Sequence, residues 1–419
     1  MKSLRWMVAS CAIALIACGD DAGPNADRWQ VLPASSVELT NDNRGLHVTL
    51  VGLSTTAPIE RLSDQVADSA AFTSTLVVEE QLFSESKHFE LVNGNGAIAE
   101  PRFPGRIEET YSDARLGDTL AAFEDVVWLV DLQRLDRGWW VDWSGLERDS
   151  EELRATEFTL AERAANHDSD FQEAVADYVL EAMRAAATPP GRVVLGTDLE
   201  QQYLLAPEDW VNVGPMVQSA ADAIRAEFPG TEVSAGLNWN GFMTDVVPTF
   251  RVAGEIEEFG AVRRAWEAVI DPLYFVPTFD EDGEEIGVSA RLDFYGFSAV
   301  PNPEVYVEPR DVPETDFVGI SQRFDEAPDR VLPVDWVRVG WPTRDTSAFT
   351  ARWVSRLPEL IGGYEVRLVN WWGFAQYEDT FCTNFILRAG GPRAMCNRGV
   401  YSESGAELEV FGAYFGGAE

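Results

Sequence analysis

The sequence alternates apolar runs of strand length with longer segments whose apolar side chains recur at helical spacing. Six clear strand-like runs lead into Asp131, Asp198, Asn238, Ser298, Arg338 and Asn370. A first strand fits 46–53, and a second belongs within 72–93, where the pattern is too mixed to place it. Eight strand–helix units in one chain predict an α/β fold, the (β/α)8 TIM barrel.

A doubly wound open sheet is the alternative fold. It would want a glycine-rich phosphate turn after an early strand, and the sequence has none. Residues 274–288 predict a hairpin insertion before the sixth strand. Its acidic tip, 280–285, lacks the spacing of an EF-hand, so we interpret it as a solvated loop. The barrel is predicted to occupy 37–419 as a single domain.

Residues 1–17 have the features of a secretory signal peptide. Lys2 and Arg5 supply a positive start, and the apolar stretch 6–17 is broken only by Ser10. A helix that crosses a bilayer needs about 20 apolar residues, so this stretch is too short to span. The sequence therefore predicts export.

The segment 15–19 reads L-I-A-C-G and resembles a bacterial lipobox. The resemblance implies that Cys18 carries a lipid, with a polar tether over 18–36 and no transmembrane span in the mature chain. It predicts a protein anchored in the cell envelope, facing the periplasm or the cell surface. Asp20, second after the cysteine, favours the outer membrane. An ordinary signal peptide with a chance cysteine is the alternative.

Two further cysteines, Cys382 and Cys396, follow near the C-terminus. Outside the cytoplasm such a pair predicts a disulfide, and no histidine lies near it to favour a metal site. The three histidines are far apart in sequence, which disfavours a metal centre, and no cofactor is predicted. The net charge of −38 disfavours a nucleic-acid partner.

Chemistry in a barrel of this kind lies at the carboxyl ends of its strands. Carboxylates, amides and aromatic rings gather in those segments. A sugar needs this combination, because its hydroxyls bond to planar polar groups and its apolar faces pack on Trp and Tyr. The candidate ligand-binding residues are Asp131, Glu200, Tyr203, Asn238, Trp341, Asn370 and Trp372. The alternative for each aromatic ring is a place in the core between barrel and helices.

Three segments resemble those of (β/α)8 glycoside hydrolases of the retaining, two-glutamate type. Residues 196–200, G-T-D-L-E, resemble the fourth-strand G-N-E that supplies the acid/base glutamate. Residues 338–343, R-V-G-W-P-T, resemble the seventh-strand E-x-G-W/Y-P-T/S that supplies the nucleophile. Residues 370–372, N-W-W, resemble the eighth-strand end that places a Trp under the reacting sugar. The likeness covers about 126–372 and implies a carbohydrate or polyol ligand.

The two positions that carry the chemistry depart from this pattern. Asp198 stands at the acid/base position and Arg338 at the nucleophile position. Retaining hydrolysis needs two carboxyl groups about 5–5.5 Å apart, and an arginine offers no lone pair. If Arg338 faces Asp198, it also favours the ionised aspartate, which opposes a general acid.

The side chain of Arg338 has two possible directions. It points into the mouth of the barrel if the seventh-strand resemblance holds. It points outward if the alignment is off by one, and Val337 or Val339 then faces inward. The site lacks a nucleophile at this strand in both cases, so the ordinary retaining mechanism is lost.

Three functions remain open. The first is a lipid-anchored, glycosidase-like barrel that binds a glycan or polyol with degenerate catalysis, in which Arg338 could clamp an acidic sugar. The second is an active glycosidase with a relocated carboxylate pair, in an inverting arrangement. Candidates for that pair are Asp198 with Asp131, Glu200, Asp293 or Asp379. The third is a non-enzymatic surface lipoprotein for protein contacts.

Overall fold

The computed structural model describes most of the segments that form the predicted barrel. These are residues 36–50, 63–81, 114–131, 189–205, 210–252, 258–301, 305–341, 347–373 and 407–415, with pieces at 140–141 and 157–158 and single positions between 176 and 207. The predicted signal peptide, Cys18, nearly all of the tether, Asp379 and the Cys382–Cys396 pair lie outside them. Within this part of the chain, no helix is both long and apolar enough to cross a membrane.

Eight parallel strands form a closed barrel, which confirms the predicted (β/α)8 fold. Each strand pairs with the next one along the chain, and the eighth pairs with the first. In chain order the strands are β1 (Arg44–Leu50), β2 (Thr75–Gln81), β3 (Asp125–Asp131), β4 (Arg192–Leu195), β5 (Glu232–Asn238), β6 (Tyr295–Ala299), β7 (Val334–Val339) and β8 (Val366–Trp371). The second strand thus lies inside the window in which the sequence could not place it.

Helices lie between the strands. They are α1 (Ser63–Asp68), α2 (Ala114–Ala121), α3 (Glu200–Leu205), α4 (Val213–Glu227), α5 (Trp239–Gly241), α6 (Glu258–Ala265), α7 (Asp271–Tyr274), α8 (Thr315–Glu326), α9 (Ser347–Leu360) and α10 (Glu409–Phe415). Five-residue π turns continue α5 (Phe242–Val246) and α6 (Trp266–Ile270). The predicted hairpin is confirmed as an antiparallel pair, Phe275–Phe279 with Glu285–Ala290. A second antiparallel pair joins Trp140–Val141 to Glu157–Phe158.

Pro358 lies inside a helix, where proline is usually avoided. Helix α9 continues through it to Leu360, and the amide of Ile361 still donates to the carbonyl of Leu357. A proline removes one backbone donor, and near the end of a helix that loss is small because few bonds follow it. The carbonyl of Pro358 itself accepts from Val37, which ties the start of the described chain to this helix.

Apolar side chains fill the barrel in two layers. A small cluster occupies the interior, and it consists of Val77, Val127, Leu129, Val194, Phe294, Val337 and Leu368. A much larger cluster lies between strands and helices, where the fully buried rings of Trp239, Trp266 and Trp336 pack with neighbouring aromatics. Burial of this area is the main term that holds the helices on the barrel.

Charged residues close the end of the barrel at which the strands begin. Arg192 of β4 donates to Asp335 of β7 at 2.5 Å and also pairs with Asp125 of β3. Arg367 of β8 donates to Asp335 at 3.1 Å and to Glu232 of β5 at 2.9 Å. Asp335 is fully buried. A buried carboxylate is costly unless it is paired, and the guanidinium groups of Arg192 and Arg367 compensate its charge. The opposite end, where the strands finish, is therefore the one available for a site.

The C-terminal helix α10 fastens the seam between the first and last strands. The hydroxyl of Tyr414 accepts from the amide of Gly45 at 3.1 Å and lies within hydrogen-bonding distance of the carbonyls of Gly45 and Val369. Tyr414 is buried. Its hydroxyl therefore serves backbone groups at the junction of β1 and β8 that water does not reach.

We expect Tyr414→Phe to lower the free energy of unfolding by about 1–3 kcal/mol, because the buried amide of Gly45 loses its partner. Denaturant unfolding followed by circular dichroism measures this change. Tyr203→Phe is the matched control, since Tyr203 is only partly buried and its ring packs on Phe250 at 5.8 Å. An equal effect of both substitutions would contradict a role of the Tyr414 hydroxyl at the seam.

Candidate functional site

A β-bulge turns Arg338 into the barrel. Across the β6–β7 ladder Phe297 pairs with Trp336, but Ser298 pairs with Arg338, so Val337 is an extra residue in β7. Val337 belongs to the interior cluster, and the guanidinium of Arg338 meets groups from across the barrel. Two consecutive residues thus face inward, which a regular strand does not allow. Of the two possible directions, the side chain of Arg338 therefore takes the inward one.

Arg338 has protein partners on several sides. Its Nη2 donates to Oδ2 of Asp198 at 2.8 Å, and its Nε donates to the hydroxyl of Ser298 at 3.3 Å. Its Nη1 lies 3.7 Å from Oε1 of Glu79, and its guanidinium carbon lies 5.2 Å from the ring centre of Trp372. This last distance is that of a cation–π contact. Arg338 therefore links the ends of β2, β4, β6 and β8 across the mouth.

Glu79 extends this cluster to the first strand. Its Oε2 lies 2.7 Å from Nε2 of His47 on β1 and accepts from the indole of Trp372 at 3.3 Å. Glu79 and His47 are almost fully buried. On β2, Glu79 follows the interior residue Val77 at the two-residue spacing of one strand face. The mouth thus holds a chain of polar groups, His47, Glu79, Arg338 and Asp198, in which each side chain contacts the next.

Asp198 is placed by a tight turn after β4. Gly196 has φ 79° and Asp198 has φ 47°, both in the left-handed region. Aspartate enters that region more readily than most side chains. The turn lies so close to β5 that a Cβ on Gly236 would be 2.2 Å from the carbonyl oxygen of Gly196. The G-T-D segment and Gly236 together fix where the Asp198 carboxylate meets Arg338.

Glu200 begins α3 just beyond this turn and is fully buried. Its Oε2 accepts from the amide of Asn238 at 2.9 Å, whereas Oε1 has no hydrogen-bond partner among the described residues. Burial raises the pKa of Glu200 well above its ordinary value, and the negative charge of Asp198 raises it further. Arg338 and the backbone amides act in the opposite direction but do not outweigh burial.

The structure brings some of the predicted residues together. Asp198, Arg338 and Trp372 share one cluster, with Glu200 within electrostatic reach and Asn238 bonded to Glu200. Asn370 is fully buried at the end of β8, and its amide donates to the carbonyl of Val337 at 2.6 Å. Asn370 therefore braces the bulge beneath Arg338.

Three predicted residues lie elsewhere. The ring of Trp341 is buried 5.5 Å from that of Trp353 on α9, and the ring of Tyr203 packs on Trp210 and Phe250. Both rings make core contacts between layers, and their assignment as ligand-binding residues stays a prediction. Asp293 accepts from Arg225 and from the amide of Val233, at the end where strands begin, so it is not a partner for Asp198. The side chain of Asp131 lies outside the described residues.

Sequence reasoning missed two members of the cluster, His47 and Glu79. Glu79 stands in T-L-V-V-E-E-Q, a charged residue inside an apolar strand, which is the same signal that drew attention to Arg338. The mixed pattern around β2 concealed it. His47 is a lone histidine in a strand, and only the pairing of β1 with β2 shows its relation to Glu79.

Comparisons with known proteins find the fold but no family. No protein-family model matches the sequence, and no curated protein matches it. An exo-β-1,4-mannosidase from Opitutaceae bacterium strain TAV5 has a TM-score of 0.52 at 12% identity, over 89% of this chain and 59% of that one. A GH5_18 variant from Bifidobacterium longum subsp. longum ATCC 55813, solved with Manβ1-4GlcNAc, has a TM-score of 0.51 at 11% identity, over 89% and 77%.

The chain therefore spans less than two thirds of the mannosidase's length. At these identities the likeness concerns the fold, and this fold is a barrel shared with glycoside hydrolases.

We expect Arg338→Met and Asp198→Asn to be strongly coupled. Each alone leaves a buried charge without its main partner, a loss of about 3–5 kcal/mol, and the double variant should cost less than the sum. Unfolding free energies of the wild type, the two single variants and the double variant measure the coupling. The exposed pair Arg184 and Glu227 is the control and should show little coupling. Additive effects at Arg338 and Asp198 would show that the two groups do not meet.

The raised pKa of Glu200 predicts that its contribution to the free energy of unfolding falls as the pH rises. A carboxyl group whose pKa is raised in the folded state stabilises the fold fully at pH values below its unfolded-state pKa, about 4.3. It loses that contribution as the pH rises through its folded-state pKa. Glu200→Gln removes this titration. We expect wild type to lose stability relative to Glu200→Gln across that window, as measured by thermal unfolding at several pH values. Parallel curves for the two proteins would contradict the prediction.

Proposed function

We propose that this protein is a glycosidase-like barrel that binds a carbohydrate or related polyol and does not hydrolyse it by the retaining mechanism. One observation carries the proposal: at the seventh-strand position of the nucleophile, Arg338 reaches Asp198 at 2.8 Å. A cation bonded to the acid/base position occupies the place where a second carboxyl group would attack the sugar.

The geometry of this pair opposes both catalytic roles. A general acid must direct a proton at the leaving oxygen, and Oδ2 of Asp198 instead accepts from Nη2 of Arg338 at 2.8 Å. The guanidinium itself stays protonated at any accessible pH and cannot act as a nucleophile. Asp198 is also one methylene shorter than glutamate, which misplaces its oxygens relative to a leaving group.

The mouth favours a neutral or basic ligand over an acidic one. An arginine that clamps a ligand carboxylate needs donors directed at that ligand. The donors of Arg338 are directed instead at Asp198, Ser298 and Glu79. The carboxylates of Glu79 and Asp198 also outnumber the single guanidinium of this cluster, which disfavours a further anion. This disfavours the earlier hypothesis that Arg338 holds an acidic sugar.

An active glycosidase with a relocated carboxylate pair is the second candidate, because one observation favours it. Glu200 is fully buried near Asp198, and burial raises its pKa. A buried carboxyl group with a raised pKa can keep its proton and act as a general acid. In this scheme Glu200 protonates the leaving oxygen, and Asp198 activates a water on the other face of the ring.

We further propose that the mature chain is lipid-anchored through Cys18 in the bacterial cell envelope, with the outer membrane preferred. The support is the L-I-A-C-G segment after a short apolar stretch and the polar tether that follows. A disulfide between Cys382 and Cys396 fits the same compartment. Mass spectrometry of the protein purified from membranes tests this placement, and a mature chain without a diacylglyceryl group on Cys18 would contradict it.

Ligand titration followed by NMR tests the binding function. We expect a neutral disaccharide to bind wild type and a uronic-acid disaccharide to bind more weakly, because the mouth repels anions. Trp372→Ala removes the ring on which Arg338 rests and should abolish binding. Phe279→Ala is the control, since Phe279 is exposed on the hairpin.

Two results would overturn the proposal in different ways. Failure of every tested saccharide to bind at high concentration would remove the carbohydrate function. Release of the aryl group from an aryl glycoside, abolished by both Asp198→Asn and Glu200→Gln, would establish the second candidate instead.

A further inference from the structure

The bulge in β7 interrupts its pairing with β8 as well as with β6. Across the β7–β8 ladder Trp336 pairs with Val369, and Val339 pairs with Trp371. Three steps along β7 thus span only two steps along β8, which breaks the regular ladder of backbone bonds. Asn370 is the β8 residue opposite the break. The backbone groups of the bulge on this side therefore need a partner outside the ladder.

The side-chain amide of Asn370 supplies a partner. Its Nδ2 donates to the carbonyl of Val337 at 2.6 Å, whereas its Oδ1 has no hydrogen-bond partner among the described residues. The residue is fully buried. The structure therefore uses this side chain as a donor. A leucine in its place, which has about the same shape, keeps the packing and loses the bond.

Gly45 makes room for this amide. It pairs with Asn370 across the β1–β8 ladder, and a Cβ on Gly45 would lie 2.7 Å from Oδ1 and 2.9 Å from Cβ of Asn370. Gly45 is not among the residues with a positive φ, so its backbone conformation does not require glycine. The close packing confines the side chain of Asn370 and directs its Nδ2 at β7.

The bulge determines which face of β7 carries Arg338. Trp336 and Val339 lie in the layer between strands and helices, and Val337 lies in the interior. A regular strand alternates its faces, so without the extra residue Arg338 would turn toward that apolar outer layer. A guanidinium is very costly there. Loss of the bond from Asn370 therefore loosens the place of Arg338 in the mouth and does not simply reverse the strand.

We propose that Asn370 is a positioning residue that sets the ligand specificity of the mouth through Val337 and Arg338. This inference rests on the proposed carbohydrate function. While the bulge is held, the donors of Arg338 are directed at protein groups, among them Asp198 and Ser298. When the bulge is loosened, the guanidinium shifts and can donate to a carboxylate of a ligand. Asn370 thereby favours neutral saccharides over acidic ones.

NMR of the arginine side chains tests the positioning. The chemical shift of the Arg338 Nε–H depends on its bond to Ser298 and on the nearby ring of Trp372, and Arg338→Met assigns the signal by its disappearance. We expect Asn370→Leu to move this signal toward that of a solvated arginine. Gly45→Ala should move it in the same direction, because the added methyl group displaces the amide of Asn370. Circular dichroism verifies that each variant folds.

Tyr414→Phe is the matched control. It removes a hydrogen bond at the same seam of the barrel and lowers the free energy of unfolding, but it leaves the bond from Asn370 to Val337 in place. We expect the Arg338 signal of this variant to match that of wild type. If Asn370 served stability alone, Asn370→Leu would behave like this control.

Titration with a neutral and a uronic-acid disaccharide, followed by NMR, tests the specificity. Wild type should prefer the neutral sugar. Asn370→Leu should reduce that preference about tenfold, the contribution of one charge-assisted hydrogen bond. Tyr414→Phe should keep the preference of wild type.

The outcomes separate this inference from the function on which it rests. An unchanged Arg338 signal in Asn370→Leu would overturn the positioning role, whether or not a sugar binds. A displaced signal with an unchanged preference would overturn the specificity role. Failure of wild type to bind either sugar would refute the carbohydrate function and the specificity role with it, while the Arg338 signal still decides the positioning.

Discussion

The ion pair between Arg338 and Asp198 is the contact on which the character of the mouth depends. It joins the end of β7 to the turn after β4, two strands that do not touch in the sheet. Glu79 and Trp372 surround the same guanidinium from β2 and β8. A charge so deeply buried is tolerated only with such partners, because an uncompensated one would be very costly. The same contacts direct the donors of Arg338 at protein groups.

The barrel beneath this cluster is built independently of it. An apolar interior layer separates the ionic network where the strands begin from the charged cluster where they end. Asp335 and Arg338 lie on the same strand at these two ends. The lower network has its charges paired within the strands and serves closure of the barrel. The upper cluster lies where the strands end, which is the end that carries the sites of barrels of this kind.

Much of the fold could be predicted from the sequence, because strand and helix periods are local properties. The strands that lead to Asp131, Asn238 and Arg338 were predicted from their apolar runs and are present. Segments outside the described residues, including the disulfide and the lipid anchor, remain predictions.

The site was harder to predict because it depends on which face of its strand each side chain takes and on contacts between strands that are distant in sequence. Sequence places Arg338 near the end of β7, but the bulge at Val337 that turns it inward shows only in the β6–β7 register. Glu79 and His47 meet through the pairing of β1 with β2, which no single segment reveals. Trp341 follows β7, as predicted, but its ring packs on α9. The sequence pattern could not show this, because it is the same for a ring at the mouth and for a ring in the core.

The most direct test of the central claim is covalent trapping. Retaining glycosidases form a glycosyl ester on a carboxylate nucleophile, and 2-deoxy-2-fluoro glycosides with good leaving groups accumulate that ester. Intact-protein mass spectrometry after incubation with glucosyl, mannosyl and xylosyl reagents should show wild type unlabelled, because Arg338 replaces the nucleophile. Stoichiometric labelling of Asp198, Glu79 or Glu200 would show a working nucleophile in the mouth and contradict the account.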